Sequence, residues 1–277
     1  TLKRLKRTKK EITVKKIKKP SKYVKFSNRL FSKFSNSLVN EGKFRILRTD
    51  LSKSNLQFVP ASYVSVIFFT TILSIFVGGM IFLFSLFFNI GVKLPIITLA
   101  TEGTGARLLK TFWILFAVPV VTFFSMYFYP SLERKSVESK INQELPFATI
   151  HMSAISGSMI DPTKIFNIII STNEYPNLER EFNKLINQIH VYGYDVVTAL
   201  RTVAVNCPSM KLAELYNGIA VTINSAGSLP RFFDKRSQSL LFEHRIEREK
   251  NTKFAETFMD IYISVVIAAP MLLMLVL

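Results

Sequence analysis

Apolar and charged positions are strongly segregated along this chain. No charged residue occurs from Ser54 to Val92, and the centre of that stretch, Ala61 to Phe88, is dense in Phe, Ile, Leu and Val. As a helix it would be about 42 Å long. That exceeds a hydrocarbon layer of roughly 30 Å, so the pattern predicts a membrane helix that tilts or protrudes. A second uncharged run, Thr111 to Leu132, predicts a span of about 33 Å. Trp113, Tyr127 and Tyr129 lie near its ends, where amphipathic rings favour the interface, and Pro119 inside it reads as a kink. A third apolar run starts after Asp260 and reaches Leu277. The absent initiator Met and the missing polar flank after that run read as the marks of a fragment, with the last helix cut inside the membrane.

Between the second and third runs, residues 133–260 read as about six helices, counting Glu133 to Ser156 as the first. Asp161-Pro162 is an N-cap followed by a first-turn Pro. Tyr175-Pro176 opens another helix, which Gly193 closes in a left-handed conformation. Asp195 caps the next, and Cys207-Pro208-Ser209 starts one that ends near Gly227. A long charged helix from about Leu229 to Glu256 then leads into the third run. No sustained two-residue alternation appears, so strands are not expected here. The uncharged Leu145 to Ile160 is too short to cross a membrane and reads as a core helix.

The charge is equally uneven. The chain has 277 residues, 49% hydrophobic, with 25 Phe and a net charge of +17; that apolar content excludes a disordered chain. Residues 1–53 hold 18 Lys or Arg against Glu11, Glu41 and Asp50, whereas the other 224 residues are nearly balanced. A basic arm beside a first membrane helix is the pattern of the positive-inside rule. It places residues 1–53 in the cytoplasm, the Lys93–Lys110 connection outside, and 133–260 back in the cytoplasm. Topology thus accounts for the charge without nucleic acid. The apolar run is too long and too far from the N-terminus for a cleaved signal. Within the arm, Leu30, Phe31, Phe34, Leu38 and Val39 repeat at helical spacing, Gly42 breaks the run, and Phe44, Ile46, Leu47 and Leu51 begin another. Such basic amphipathic helices lie on anionic lipid or pack on a neighbouring domain, and the sequence leaves both open.

No catalytic pattern emerges. The single Cys207 has no nearby His or Asp spacing of a nucleophile, and it excludes a disulfide framework or CxxC zinc site. His151, His190 and His244 fall on three different expected helices without metal-ligand spacing. A P-loop is absent, and Gly103-Thr104-Gly105 lies in the external connection without strand–turn–helix context, where it reads as a loop. Neither cofactor, metal nor enzymatic activity is expected.

Several motifs resemble the F domain of type II secretion and type IV filament platform proteins, over residues about 133–277. They are Glu144-Leu145-Pro146-Phe147, where the family has a Leu-Pro opening a helix; Ser156-Gly157-Ser158; Gly193 to Leu200, with Asp195 and the "TAL" of Thr198-Ala199-Leu200; and Ser225-Ala226-Gly227, where the family commonly has Gly-Gly. The spacing from Gly193 to Pro208-Ser209, and Ile261-Tyr262 to Ala269-Pro270, resemble the archaeal branch, which holds the archaellum and pilus platforms and is similar to tight-adherence C proteins. Leu56 to Tyr63, with Pro60, resembles the stretch these proteins place before their first membrane helix.

The resemblance implies an all-α membrane protein of the inner (cytoplasmic) membrane. Its expected parts are a basic cytoplasmic region (1–53), a transmembrane helical hairpin (54–132, spans about 61–88 and 111–132), a cytoplasmic six-helix bundle (133–260) and a third transmembrane helix (261–277). It implies a non-enzymatic platform, a dimer in the membrane lipid, that couples a hexameric secretion ATPase to the movement of pilin-like or archaellin subunits. A transporter is the alternative class, but the two complete spans contain no Asp, Glu, Lys, Arg or His. The expected ATPase-contact surface is the charged side of the last long helix: Arg231, Lys235, Arg236, Glu243, Arg245, Glu247 and Arg248. Simple solvation of that side is the competing reading.

Overall fold

The computed structural model describes residues 21–54, 56, 58–90, 97–99, 104–158 and 160–276. The most basic part of the arm (1–20) and much of the Lys93–Lys110 connection, Gly103 included, lie outside the described residues. Two compact units are present, one built from the chain up to Leu51 with Leu56–Ser131, the other from Ser52–Asn55 with Leu132–Leu277.

In the first unit, α1 (Lys22–Asn40) and α2 (Arg45–Lys53) precede α3 (Pro60–Phe87). Gly42 ends α1 with φ +78°, a left-handed turn that a side chain would strain. Pro60 stands in the first turn of α3, where its missing N–H costs nothing. Leu47 and Leu51 of α2 bury against Tyr63, Val64 and Ile67, so the first turns of α3 are wrapped by protein. This answers the excess length of the first apolar run. The exposed apolar surface of α3 starts near Ile72 and leaves about 16 residues, or roughly 24 Å, facing lipid.

After α3 the backbone forms a short antiparallel pair, β1 (Phe88–Ile90) with β2 (Ile97–Leu99), in register Phe88 to Leu99. This is the departure from an all-helical chain. Helix α4 then runs from Thr104 to Ser156 without a break. Its N-terminal half packs antiparallel to α3. The Tyr63 hydroxyl donates to the Met126 carbonyl at 2.8 Å, and a Cβ on Gly78 would lie 3.4 Å from Val118 Cβ. A small residue at that crossing lets two membrane helices approach closely.

Two expectations change here. Gly105 is helical rather than in a loop, because α4 begins at Thr104. Pro146 does not open a helix; it sits inside α4, as do Pro119 and Pro130. An interior Pro removes one backbone bond and crowds the preceding turn, at about 3 kcal/mol. The stripe Val137, Ile141, Leu145, Ala148 and Met152, all in the core, outweighs that cost by holding the helix on both sides of Pro146.

The second unit is a bundle of six helical segments: the C-terminal part of α4, α5 (Pro162–Thr172), α6 (Pro176–His190), α7 (Val196–Val205), α8 (Met210–Asn224) and the start of α9 (Leu229–Ile263). Phe166, Phe182 and Tyr216 meet ring to ring at its centre, with centroids 5.2–6.3 Å apart. Around them lie Leu178, Leu185, Leu200, Leu212, Ile219 and Phe233. Helix α9 continues through a π-helical turn, Ser264–Ala268, into α10 (Ala269–Val276). Pro270 explains that turn, since it cannot donate to the carbonyl four residues back and the coil widens ahead of it. Among the described residues three helices are long and apolar enough to cross a membrane: Pro60–Ser85, and parts of Thr111–Ser156 and Leu229–Val276. The chain is an all-α membrane protein apart from the short strand pair.

Candidate interaction surface of the bundle

The capping residues set where each bundle helix begins. Asp161 accepts from the Thr163 N–H at 2.7 Å, Asp195 from the Val197 and Thr198 N–H groups at 3.1 Å each, and Ser209 from the Leu212 N–H at 3.2 Å. The Thr198 hydroxyl and amide, with the Val197 amide, hold the Asp195 carboxyl below its ordinary value. Pro208 precedes the Ser209 cap, and the Ser209 hydroxyl also donates to Asn142 of α4 at 2.6 Å. Gly157 follows the end of α4, and Gly193 has φ +73° just past α6. Each of these motif residues lies in a turn or cap rather than converging on a site.

One cap was illegible in the sequence. Helix α6 starts at Tyr175-Pro176 with no local side-chain cap. The carboxylate comes from Glu144 of α4, which accepts from the Leu178 N–H at 2.9 Å, the Asn177 N–H at 3.1 Å and the Asn177 side chain at 2.6 Å. A separation of 33 residues hides it from any local pattern.

The turn before α9 lies where the motif Ser225-Ala226-Gly227 places it. Gly227 is not left-handed; Ala226 is, with φ 52°. The Gly227 N–H returns to the Thr222 carbonyl at 2.8 Å and the Ala226 N–H to Ile223 at 3.1 Å. That pair of bonds is a Schellman ending, with Ala226 at the position that favours glycine. Gly227 is needed for space: a Cβ there would sit 3.2 Å from the Thr222 methyl.

Helix α9 presents Phe233, Ser237 and Leu240 to the core. Where it approaches α8 the Phe232 ring lies over Gly218, and a Cβ there would fall 2.5 Å from the ring and make it shift. The seven charged residues expected as one surface divide into three sets. Arg236 pairs with Glu214 at 2.6 Å and Glu243 with Lys211 at 3.0 Å, tying α9 to α8. Glu247 borders a shallow polar depression with Lys135, Asn142 and Gln143 of α4. Arg231, Lys235, Arg245 and Arg248 are exposed. The stripe Arg231, Lys235, Phe242 and Arg245 lies along one side of the helix, and Phe242 is 64% exposed within it. The hydrophobic pattern gave no reason to single out Phe242; only the packing shows that it faces away from the core.

Among the described residues no three His, Cys, Asp or Glu gather as a metal site. Cys207 is buried, and burial first of all pushes its thiol up to about 12, so it is neutral. His151 approaches the Tyr175 hydroxyl at 3.2 Å, while His244 packs on Phe147.

Residues 148–277 match the family model described as type II secretion system (T2SS), protein F. An uncharacterized protein of Methanocaldococcus jannaschii is 22% identical over 135 residues, covering 49% of this chain but only 23% of that protein's length. No solved structure matches the chain.

Proposed function

We propose that this chain is part of a membrane platform that couples a cytoplasmic secretion ATPase to the assembly or export of pilin-like subunits, because residues 148–277 match the family model described as type II secretion system (T2SS), protein F. The observation that carries the reading is continuity. The domain begins on α4 and ends on α9 and α10, and both helices run unbroken into apolar spans. Displacement of the bundle by an ATPase therefore passes to membrane helices through stiff elements. The positive-inside pattern puts the basic N-terminus and the bundle in the cytoplasm. The motif spacing resembles the archaeal branch, and in this reading the machine is an archaellum or pilus assembly whose platform works as a dimer.

The ATPase-facing surface in this reading is the α9 stripe, with Phe242 as the apolar anchor and Arg231, Lys235 and Arg245 around it. An aromatic ring flanked by cations suits an acidic partner surface, since anchors supply affinity and rim charges supply rate. Arg236 and Glu243 are left out because their charges are used within the bundle. The test is co-purification of the full chain with the secretion ATPases of its own cell. Phe242→Ala combined with Arg231, Lys235 and Arg245→Glu is expected to abolish capture, while Arg236→Gln alone spares it. Undiminished capture of the quadruple variant at low salt rejects this surface. Labelling of a Thr104→Cys variant, in a Cys207→Ser background, from the cytoplasmic side alone rejects the topology.

A further inference from the structure

Helix α1 is a basic amphipathic helix that leaves several of its large apolar residues more than half exposed beside its protein neighbour. The side packed on α3 is built from Val24, Ser27 and Ser35. Ser35 and Ser65 hydroxyls meet at 2.9 Å, and Asn28 bonds Ser62 at 2.8 Å. The larger apolar residues Phe26, Leu30 and Phe34 remain more than half exposed. At about 100° per residue they form, with Tyr23, a stripe roughly a quarter turn from the α3-facing side. Lys22, Lys25, Arg29 and Lys33 form a further exposed stripe, turned away from α3.

The contacts fix which way the apolar stripe points along α3. Tyr23 and Phe26 touch Phe69, at 5.1 and 5.5 Å between ring centres, and Phe34 touches Phe68 at 5.3 Å. Asn28 and Ser35, on the other edge of the packed side, reach back to Ser62 and Ser65. The apolar stripe is thus directed along α3 towards Ile72, Leu73 and Phe76, the exposed beginning of the membrane span, and the cations are directed away from it.

We propose that α1 lies in the plane of the membrane interface beside α3, with Phe26, Leu30 and Phe34 in the acyl boundary and Lys22, Lys25, Arg29 and Lys33 on anionic phospholipid head groups. The occupant of the exposed face is the lipid leaflet, for two reasons. The face is continuous with a membrane span, and its rim carries four cations without an acidic residue in the helix. An apolar side a few ångströms below a cationic side is the arrangement of interfacial helices, and anionic head groups supply the complementary charge. As an elbow around the first turns of α3, α1 sets how deeply that span sits.

The test uses the 277-residue chain in nanodiscs, with Trp113→Phe as background and one new Trp as reporter. Brominated acyl chains are expected to quench Phe26→Trp at least about half as strongly as the span control Phe76→Trp, and Arg29→Trp hardly at all. Energy transfer from Phe26→Trp to pyrene-labelled phosphatidylglycerol is expected to exceed transfer to pyrene-labelled phosphatidylcholine about threefold at low salt. High salt, or Lys22, Lys25, Arg29 and Lys33→Gln together, is expected to bring the ratio to about one. These four side chains are exposed, so helix packing survives the change. An unquenched Phe26→Trp beside a quenched Phe76→Trp overturns the membrane seat and means that protein or water covers the face. Equal transfer to both lipids at low salt overturns the head-group recognition.

Discussion

Ala226→Gly is expected to stabilise the bundle, against the usual direction for an Ala→Gly change. Ala226 is held at φ 52° as the left-handed residue of the Schellman turn closing α8. A side chain in that conformation costs roughly 1–2 kcal/mol, which glycine does not pay. Glycine gives back about 0.4–1 kcal/mol by loosening the unfolded chain. The Ala226 methyl is exposed, so its removal forfeits no burial. The net gain is about 0.5–1 kcal/mol, or about 1–4 °C for a unit of this size. Gly193 supplies the mirror-image control, since it has φ +73° and a Cβ there would meet nothing within 4 Å. Gly193→Ala should lose about what Ala226→Gly gains, through backbone strain alone. Cys207 provides the assay. It is the chain's single cysteine and lies in the bundle core, so maleimide labelling of the solubilised full chain during heating reports bundle unfolding specifically. A lowered midpoint for Ala226→Gly, or a raised one for Gly193→Ala, refutes the turn assignment.

Three further outcomes are expected in the same assay. Glu144→Ala removes the distant cap of α6 and should cost about 1–3 kcal/mol, with Glu144→Gln intermediate; an unchanged midpoint for both means the cap contributes nothing. The Tyr216 hydroxyl is fully buried without a hydrogen-bond partner, and burial keeps it protonated; Tyr216→Phe should be neutral or stabilising by about 1 kcal/mol, and a large loss would reveal a bond to that hydroxyl. The Asp195 carboxyl titrates lower folded than unfolded, so its contribution is complete above the unfolded value near 4 and disappears as pH falls through the folded value. The midpoint of the native chain should therefore fall towards that of Asp195→Asn in acid, and a gap independent of pH contradicts the assignment.

The long-period features were legible in the sequence because their signals are local. The three apolar runs, the capping Asp161, Asp195 and Ser209, and the left-handed Gly193 depend on residues within a turn or two of one another. Pro146 misled for the same reason. Locally a Pro reads as a boundary, but the core stripe on α4 extends beyond it in both directions. The motif Ser225-Ala226-Gly227 showed that a turn is present without showing that Ala226 is the residue that turns left-handed. The charged face of α9 was visible as a pattern, whereas its division into internal pairs and exposed cations depends on α8.

By itself the sequence determined that this chain is helical, enters the membrane in long apolar spans and carries a six-helix segment between the second and third of them, because hydrophobic length and helix punctuation are one-dimensional properties. The tertiary structure alone decided that Glu144 caps α6, that Gly218 lies beneath the Phe232 ring, and that α1 buries Ser27 and Ser35 while leaving Phe26 and Phe34 more than half exposed. Each of these depends on which surfaces meet across tens of residues, and hydrophobicity does not encode the partner. Ser27 and Ser35 lie on the buried side of α1 because small side chains let two helices approach closely, while Phe26 and Phe34 touch α3 and still keep more than half of their surface for another apolar medium.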